Sequence, residues 1–260
     1  MDLQMNDKVA EEYSNKSQKI RVITENWVSQ NLFCPYCGNA HIRHFENNRP
    51  VADFYCPSCL EEYELKSKHT AIHNKVADGA YDTMLGRINS INNPNFFFLH
   101  YNKADFRVKN FVMVPKHFFV PDIIEKRNPL ANTARRAGWV GCNILLKGIP
   151  NEGRIYIVKD EMEQPVDKIV SDVKKMDFVK QYELEARGWI FDILKCVNSI
   201  GEEDFTLNQM YQFTHMLELK HPENHHIEAK IRQQLQLLRD EGILEFVGRG
   251  HYKKVKQCCK

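Results

Sequence analysis

Apolar residues recur with two different periods over the first two thirds of the chain. Helical spacing predicts one or two opening helices within residues 8–30 and a further helix at 78–91, which Pro94 ends. Short apolar or alternating runs predict strands at residues 51–55, 62–66, 96–101, 111–115 and 153–160. Because helices alternate with strands, we expect an α/β domain with a mixed sheet flanked by helices.

Two stretches of this region carry no clear period. Residues 115–150 hold several Pro and Gly residues, so we expect exposed loops that suit contact with a substrate. The charged stretch 160–175 predicts a loop that leads to a linker near residue 180. The predicted first domain therefore spans residues 1–180.

The pattern changes at residue 183 to amphipathic helices followed by a basic hairpin. Helical spacing predicts helices at residues 187–200, 205–219 and 225–242. Thr206 is a candidate cap, and Gly242 ends the last helix. Three helices and a hairpin in this order predict a smaller α+β winged-helix domain at 183–260, which binds either DNA or protein.

Length and composition are those of a globular protein with room for two domains. The chain has 260 residues, of which 43% are hydrophobic and 27% charged. No run approaches the roughly 18 apolar residues of a membrane span, and residues 1–19 lack the apolar core of a signal peptide. We therefore expect a cytoplasmic protein that does not contact a membrane.

Charge is informative only where it clusters. The net charge of +2 says little, but residues 133–139 are basic, and residues 246–260 hold five Lys or Arg residues and no acid. Either run indicates a nucleic-acid contact or an ordinary solvated face.

Four of the eight cysteines have the spacing of a structural zinc site. Cys34 and Cys37 form one Cys-x-x-Cys pair, Cys56 and Cys59 form another, and eighteen residues separate the pairs. Four thiolates satisfy tetrahedral zinc and leave no position for a substrate. We expect a zinc-binding element at residues 34–59; coincidental reduced dithiols are the alternative.

An acidic pair and a lysine surround the second cysteine pair. On a strand, Glu64 and Lys66 share one face, and Asp53 meets that face if the two predicted strands are neighbours. Asp53, Glu64 and the Leu65 backbone carbonyl offer the oxygen ligands that Mg²⁺ prefers, and Lys66 would orient or help deprotonate a water. This pattern predicts phosphodiester hydrolysis; charged residues on the solvent side of a hairpin are the alternative.

Other residues are candidates for contact with DNA. His69 and His73 have the spacing of metal ligands rather than of DNA contacts, but no third metal ligand is placed to match them. The last predicted helix would present three polar side chains to base edges, and the hairpin would contact phosphates through four more. These candidates are Lys230, Gln233 and Gln234 on the helix, and Arg249, His251, Lys253 and Lys254 on the hairpin.

Several segments together resemble the DpnI-like methyl-directed type II (type IIM) restriction endonucleases. The resemblance covers nearly the whole chain and rests on ENNRPVADFYC at 46–56, ELKSK at 64–68, NNPNFFFL at 92–99, TARRAGW at 133–139, and IRQQLQ at 231–236 with GRG at 248–250. It implies a PD-(D/E)XK nuclease core that contains the zinc element, followed by a winged helix. It departs in the opening residues, at 69–75, 120–126 and 160–185, and in the tail.

This resemblance implies a bacterial enzyme that uses Mg²⁺ to cut double-stranded DNA at GATC sites containing N6-methyladenine. Asp53, Glu64 and Lys66 would be catalytic, and a monomer is favoured. An aromatic face suits a methyl group, so Trp139 is a candidate reader beside Arg135 and Arg136; a core tryptophan is the alternative. The competing function is a zinc-containing winged-helix DNA-binding regulator with an inactive nuclease fold.

Overall fold

Two compact units make up the chain. The computed structural model describes residues 1–46, 52–72, 74–90 and 93–255. Contacts divide these residues into Met1–Asp177 and Phe178–Lys260. The predictions placed on Val51, on His73 and on the end of the basic run 246–260 lie outside the described residues. Within that part of the chain, no helix has both the length and the apolar character needed to cross a membrane.

The described residues contain seven α-helices and six short 3-10 helices. The α-helices are α1 (Lys16–Asn31), α2 (Tyr81–Ile88), α3 (Val166–Lys175), α4 (Leu184–Ser199), α5 (Leu207–Tyr211), α6 (Thr214–Lys220) and α7 (Ile227–Asp240). The 3-10 helices are Asp7–Ala10, Lys116–Phe118, Pro121–Ile123, Leu146–Gly148, Asn151–Gly153 and Asp177–Gln181.

Thirteen strands lie in the same described ranges. They are β1 (Arg43–His44), β2 (Phe54–Tyr55), β3 (Glu62–Lys68), β4 (Lys75–Ala80), β5 (Asn95–Tyr101), β6 (Val108–Val114), β7 (Ile124–Lys126), β8 (Gly141–Leu145), β9 (Ile155–Lys159), β10 (Met162–Glu163), β11 (Asp204–Thr206), β12 (Leu244–Gly248) and β13 (His251–Lys254).

A mixed sheet organises the first unit. Among the described residues its seven strands follow the order β1-β2-β3-β5-β6-β9-β10. Strands β3 and β5 pair in parallel and the other described pairs of this sheet are antiparallel; α2 lies on the crossover between β3 and β5. Strand β5 is a run of buried aromatic residues, as expected for a central strand that is covered on both faces. The predicted α/β class with a mixed sheet is therefore confirmed.

The main core lies against one face of this sheet. Trp27 on α1 packs edge-on against Phe111, and Val173 on α3 belongs to the same buried cluster. Tyr63 on β3 stacks on Phe97 of β5, with 4.6 Å between ring centroids. The helices α1 and α3 therefore cover the face to which Tyr63 points.

A second, three-stranded sheet carries β4 beside the main one. Its order is β4-β8-β7 with antiparallel pairing. The register between β4 and β8 shifts between Asp78 and Ala80, which marks a β-bulge at Gly79. Bulges bend a strand and redirect the side chains beside them.

The second unit has the order of a winged helix. Strand β11 lies between α4 and α5, and β12 and β13 follow α7; the three strands form an antiparallel sheet of order β11-β13-β12. Thr206 caps α5, and a reciprocal hydrogen bond with Gln209 completes a capping box. The predicted cap is therefore confirmed.

Long-range pairing corrects one predicted helix. Residues 78–80 belong to β4, so α2 begins at Tyr81 rather than at Asp78. This segment pairs instead with strand β8, which lies more than 60 residues later in the chain; Asp78, for example, lies opposite Cys142. A local helical period cannot reveal such a partner.

Other predicted elements also need correction. The loop expected at 160–175 contains α3, whose buried side chains Ile169 and Val173 are too few to stand out among the charges. The loop-rich region 115–150 holds β7 and β8. The helix expected at 205–219 is split, because the amides of Gln212 and Phe213 bond to carbonyls three residues back and end α5.

Candidate active site and DNA-contacting surfaces

The four predicted cysteines form one cluster at the turn between β2 and β3. Their sulfur atoms all lie within 4.8 Å of one another. Cys34 Sγ is 3.5 Å from Cys59 Sγ, and Cys37 Sγ is 3.6 Å from Cys56 Sγ. Four sulfurs bound tetrahedrally at about 2.3 Å from one zinc ion would lie about 3.8 Å apart. The donor set and its spacing fit a zinc-binding cluster.

Two knuckles of the same shape present these sulfurs. The Gly38 N–H donates to the Cys34 carbonyl at 2.8 Å, and the Leu60 N–H donates to the Cys56 carbonyl at 3.0 Å. Gly38 and Leu60 both have left-handed backbones, with φ of 76° and 63°. Each Cys-x-x-Cys segment therefore closes through the same turn, although only the first has glycine at the left-handed position.

Acid–base properties of the thiols also fit a metal cluster. Burial raises the pKa of Cys34 to about 11. Burial acts in the same direction on Cys37, but hydrogen bonds from the Asn39 backbone and from neighbouring sulfurs lower the pKa of Cys37 to about 7. Zinc binds thiolates rather than thiols, so zinc binding and loss of the thiol protons are coupled.

Tyr63 joins the cysteine cluster to the predicted catalytic residues. Its hydroxyl lies 3.1 Å from Cys34 Sγ, and its carbonyl accepts from the Asp53 N–H at 2.9 Å. Glu64 is the next residue along β3. The buried Tyr63 ring therefore fixes the start of β3 between the sulfur cluster and the acidic residues.

Asp53 lies at a bend just before β2 and faces the open edge of β3. Of the described residues 52–55 in the strand predicted at 51–55, Phe54 and Tyr55 pair with β3. Asp53 Oδ2 accepts from the Leu65 N–H at 2.7 Å. In a strand the N–H and C=O of one residue point to the same side, so the Leu65 carbonyl also points towards this edge.

Glu64 and Lys66 form the charged face that the alternation predicted. Lys66 Nζ lies 2.6 Å from Glu64 Oε1, and Arg87 Nη1 on α2 donates to Glu64 Oε2 at 3.2 Å. Burial raises the pKa of Glu64 despite these two cations. Burial would lower the pKa of Lys66, but the carboxylates of Glu64 and Asp78 outweigh it and raise that pKa.

Asp78 and Arg87 are members of this cluster that the sequence pattern missed. The Asp78 carboxylate contacts Lys66 Nζ, and its side chain is only 5% exposed. The sequence pattern places both residues on one predicted helix, at 78–91, and gives them no role. In the sequence Asp78 is followed by Gly79, the residue at the bulge. The bulge itself cannot be predicted from this pair of residues, because it depends on the pairing of β4 with β8.

Oxygen donors at this edge suit a hard cation. The carboxylates of Asp53 and Glu64 and the Leu65 carbonyl belong to residues close together on β3 and the bend before β2. Mg²⁺ binds through one or two carboxylates with water and phosphate oxygens completing its shell. The residues present therefore fit a magnesium ion.

Trp139 closes a basic loop in front of β8. Leu130 and the segment 138–139 exchange backbone hydrogen bonds of 3.0 Å, and Gly138 has a φ of 77°. The Trp139 ring is half-buried, and the Arg136 guanidinium lies 4.7 Å from its centroid. Arg135 is exposed. Trp139 is therefore not a fully buried residue, and its role as a reader of methyl groups stays a prediction.

The chain matches known families over both units. Residues 1–182 match the family described as DpnI, the Dam-replacing family. Residues 185–254 match the Dam-replacing HTH domain of the same family. The chain belongs to the Dam-replacing family. It is an endonuclease of a restriction system with a DNA-binding winged helix, so double-stranded DNA is its partner.

Within the HTH domain of this Dam-replacing protein, α7 is the recognition-helix candidate. Gln233 is exposed, and Lys230 is half-buried with its Nζ 5.7 Å from the centroid of the Trp189 ring. Trp189 in turn stacks on His221 at 3.7 Å. Sequence reasoning missed this aromatic support, because Trp189 lies on α4 and is an apolar position of an amphipathic helix.

Gln234 does not face outwards as predicted. It is 4% exposed and lies on the same face of α7 as the buried residues Ile231, Leu235 and Leu238. Position 234 is three residues after Ile231, so it belongs to the inner face of α7. The prediction that Gln234 is free to contact a base is therefore wrong.

The predicted contacts in the hairpin differ in availability. Arg249 and His251 are exposed at the turn between β12 and β13. Lys253 pairs in register with Asp204 on β11 and with Glu245 on β12. Arg249 and His251 are therefore freer to contact phosphate than Lys253. Lys254 donates to the Ile200 carbonyl instead.

Proposed function

We propose that this protein hydrolyses phosphodiester bonds in double-stranded DNA at GATC sites that contain N6-methyladenine, with Mg²⁺ as cofactor. The observation that carries the proposal is the Asp53 carboxylate at the Leu65 amide, 2.7 Å away, beside the charged face formed by Glu64 and Lys66. Membership of a restriction-endonuclease family supports the same reaction. We also propose a monomer in solution.

Asp53, Glu64 and the Leu65 carbonyl would hold the metal. When bound, Mg²⁺ supplies positive charge to the oxygens of the phosphate that is attacked and to the leaving oxygen. Glu64 must then share its carboxylate between the metal and the cations Lys66 and Arg87, which hold it at 2.6 and 3.2 Å.

Lys66 would act as an ammonium ion. Its pKa is raised because two carboxylates outweigh the effect of burial, so it carries a proton at neutral pH. A charged Nζ can donate to the attacking water and to a phosphate oxygen, which orients the water and offsets charge on phosphorus. The water oxygen would bond to phosphorus and lose a proton to the solvent, while the bond to the leaving oxygen breaks and that oxygen takes up a proton from the solvent.

Trp139 would read the methyl groups. The ring is half-buried in an exposed basic loop and held by Arg136. Two N6-methyl groups lie in the major groove, and desolvation of each against an aromatic face is worth roughly 1 kcal/mol. Arg135 and Arg136 would contact phosphate beside it.

The winged helix would bind the same kind of duplex. Lys230 and Gln233 lie on the outer face of α7 for contact with bases, and Gln can pair with adenine. Arg249 and His251 would contact phosphates, with Lys253 a weaker contributor because of its acidic cross-strand neighbours.

Incubating adenine-methylated and unmethylated copies of one plasmid with Mg²⁺ tests this function. We expect fragments with ends inside GATC from the methylated copy only, and none in EDTA. A protein that shifts methylated DNA but leaves it intact under these conditions is a regulator rather than a nuclease. Sedimentation of the free protein tests the monomer.

A further inference from the structure

Lys66 contacts two carboxylates that come from different parts of the fold. Glu64 lies two residues away on β3, with its Oε1 2.6 Å from Lys66 Nζ. Asp78 approaches from β4, which belongs to the second sheet. Its carboxylate also contacts Nζ, and its side chain is 5% exposed. A carboxylate buried this far needs a partner, and Lys66 provides it.

The bulge in β4 directs Asp78 to this contact. The register with β8 shifts between Asp78 and Ala80, so Gly79 has no partner in the pairing. Cys142, opposite Asp78, donates its S–H to the Gly79 carbonyl at 3.5 Å. Bulges next to active sites redirect a side chain, and here the redirected side chain is the acid.

The two carboxylates differ in what else holds them. Glu64 also accepts from Arg87 at 3.2 Å and lies beside Leu65, whose amide is bound by Asp53. Glu64 is therefore the carboxylate that a metal at this edge would engage. Asp78 contacts the Lys66 ammonium from another sheet, and Lys66 is the cation that it contacts among the described residues.

We infer that Asp78 is a positioning residue for DNA cleavage, which holds the Lys66 ammonium at the reacting phosphate while Glu64 serves as a ligand. This inference rests on the nuclease function proposed above. Without Asp78, Glu64 is the one carboxylate among the described residues that pairs with Lys66, so the ammonium follows Glu64 or is displaced. Misplacing a catalytic group by about 1 Å costs up to roughly 100-fold in rate.

A double-mutant cycle between Asp78 and Lys66 tests the inference. The four proteins are the wild type, Asp78→Asn, Lys66→Met and the double variant. Single-turnover cleavage of a methylated duplex at saturating enzyme should fall roughly 10- to 100-fold in Asp78→Asn, with duplex affinity in EDTA unchanged. In the Lys66→Met background, Asp78→Asn should cause no further loss.

Mg²⁺ affinity, measured by calorimetry on the same four proteins, gives a second readout. If Asp78 acts through Lys66, adding Asp78→Asn to Lys66→Met leaves this affinity unchanged. A loss there would make Asp78 a metal ligand and overturn the inference, as would rate losses that simply multiply.

Asp82→Asn is the matched control, because Asp82 is an exposed acid at the start of α2, and it should cut at the wild-type rate. Asp78→Glu covers the case in which Asp78→Asn does not fold. It keeps the charge but displaces the carboxylate, so slow cleavage with normal thermal stability supports the inference and wild-type cleavage overturns it. If the wild type itself leaves methylated DNA intact, the proposed function fails instead.

Discussion

The two ends of the short β2–β3 hairpin are built in opposite ways. At the turn, four sulfurs come from two Cys-x-x-Cys segments that close through the same hydrogen bonds. At the open edge, the charged cluster draws Asp53 from a bend, Glu64 and Lys66 from β3, Asp78 from a second sheet and Arg87 from a helix. The turn depends on local spacing, whereas the open edge depends on the whole fold.

This difference indicates a division of work. The sulfur cluster holds the start of β3 through the contact between Cys34 and the Tyr63 hydroxyl. The charged cluster pairs the carboxylates of Glu64 and Asp78 with Lys66 and Arg87, and a bound metal or phosphate would compete for these ion pairs. The sulfur cluster therefore positions the strand on which Glu64 and Lys66 of the charged cluster lie.

Breaking the sulfur cluster should have the largest effect. Cys56→Ser removes one zinc ligand, and we expect the free energy of unfolding to fall by more than about 4 kcal/mol, with cleavage lost as well. Denaturant unfolding and metal content measure both. Cys196→Ser is the control, a buried cysteine outside the cluster, and it should keep the zinc. A stable, fully active Cys56→Ser protein would show that the charged cluster does not depend on the sulfur cluster.

Moving Trp139 without removing it should have the next largest effect. A Cβ on Gly141 would lie 2.8 Å from two carbons of the Trp139 ring, so Gly141→Ala must displace that ring. The preference for methylated over unmethylated duplex should fall by up to about 2 kcal/mol, roughly 30-fold in affinity. Gly86→Ala, with open space around it, should keep the preference. Unchanged discrimination in Gly141→Ala would remove Trp139 as the reader.

Removing one oxygen ligand from the open edge should weaken metal binding without affecting zinc. For Glu64→Gln we expect at least about a tenfold loss of Mg²⁺ affinity, about 1.4 kcal/mol. Calorimetry with the zinc-loaded protein measures it. Glu218→Gln, an exposed acid on α6, should bind Mg²⁺ as the wild type does. Equal affinities for all three proteins would place the metal elsewhere.

Relieving strain at the turn should have the smallest effect. Leu60 is 74% exposed and has a φ of 63°, a conformation that costs a non-glycine residue about 1 kcal/mol or more. Leu60→Gly should therefore raise the free energy of unfolding by about 0.5 kcal/mol after the entropic cost of glycine. Ser58→Gly, outside the left-handed region, should lower it slightly. A destabilised Leu60→Gly protein would show that the Leu60 side chain matters.

The same contrast explains what the sequence could predict. The zinc set, the face shared by Glu64 and Lys66 and the winged-helix order follow from spacings of a few residues. The role of Asp78 depends on a partner strand at Gly141–Leu145, and the inward position of Gln234 depends on which face of α7 packs. Charges in 160–175 concealed α3, because Ile169 and Val173 are its only fully buried side chains. A local hydrophobic period cannot predict a contact that depends on a distant part of the chain.

We propose that Asp53, Glu64 and Lys66 together form the centre that cuts methylated DNA. This proposal is tested most directly by measuring cleavage and binding of one methylated GATC duplex with Asp53→Ala, beside Asp167→Ala as an exposed acidic control on α3. We expect Asp53→Ala to bind the duplex with wild-type affinity in EDTA and to leave both strands intact in Mg²⁺, while Asp167→Ala cuts normally. Cleavage by Asp53→Ala at the wild-type rate would contradict the account.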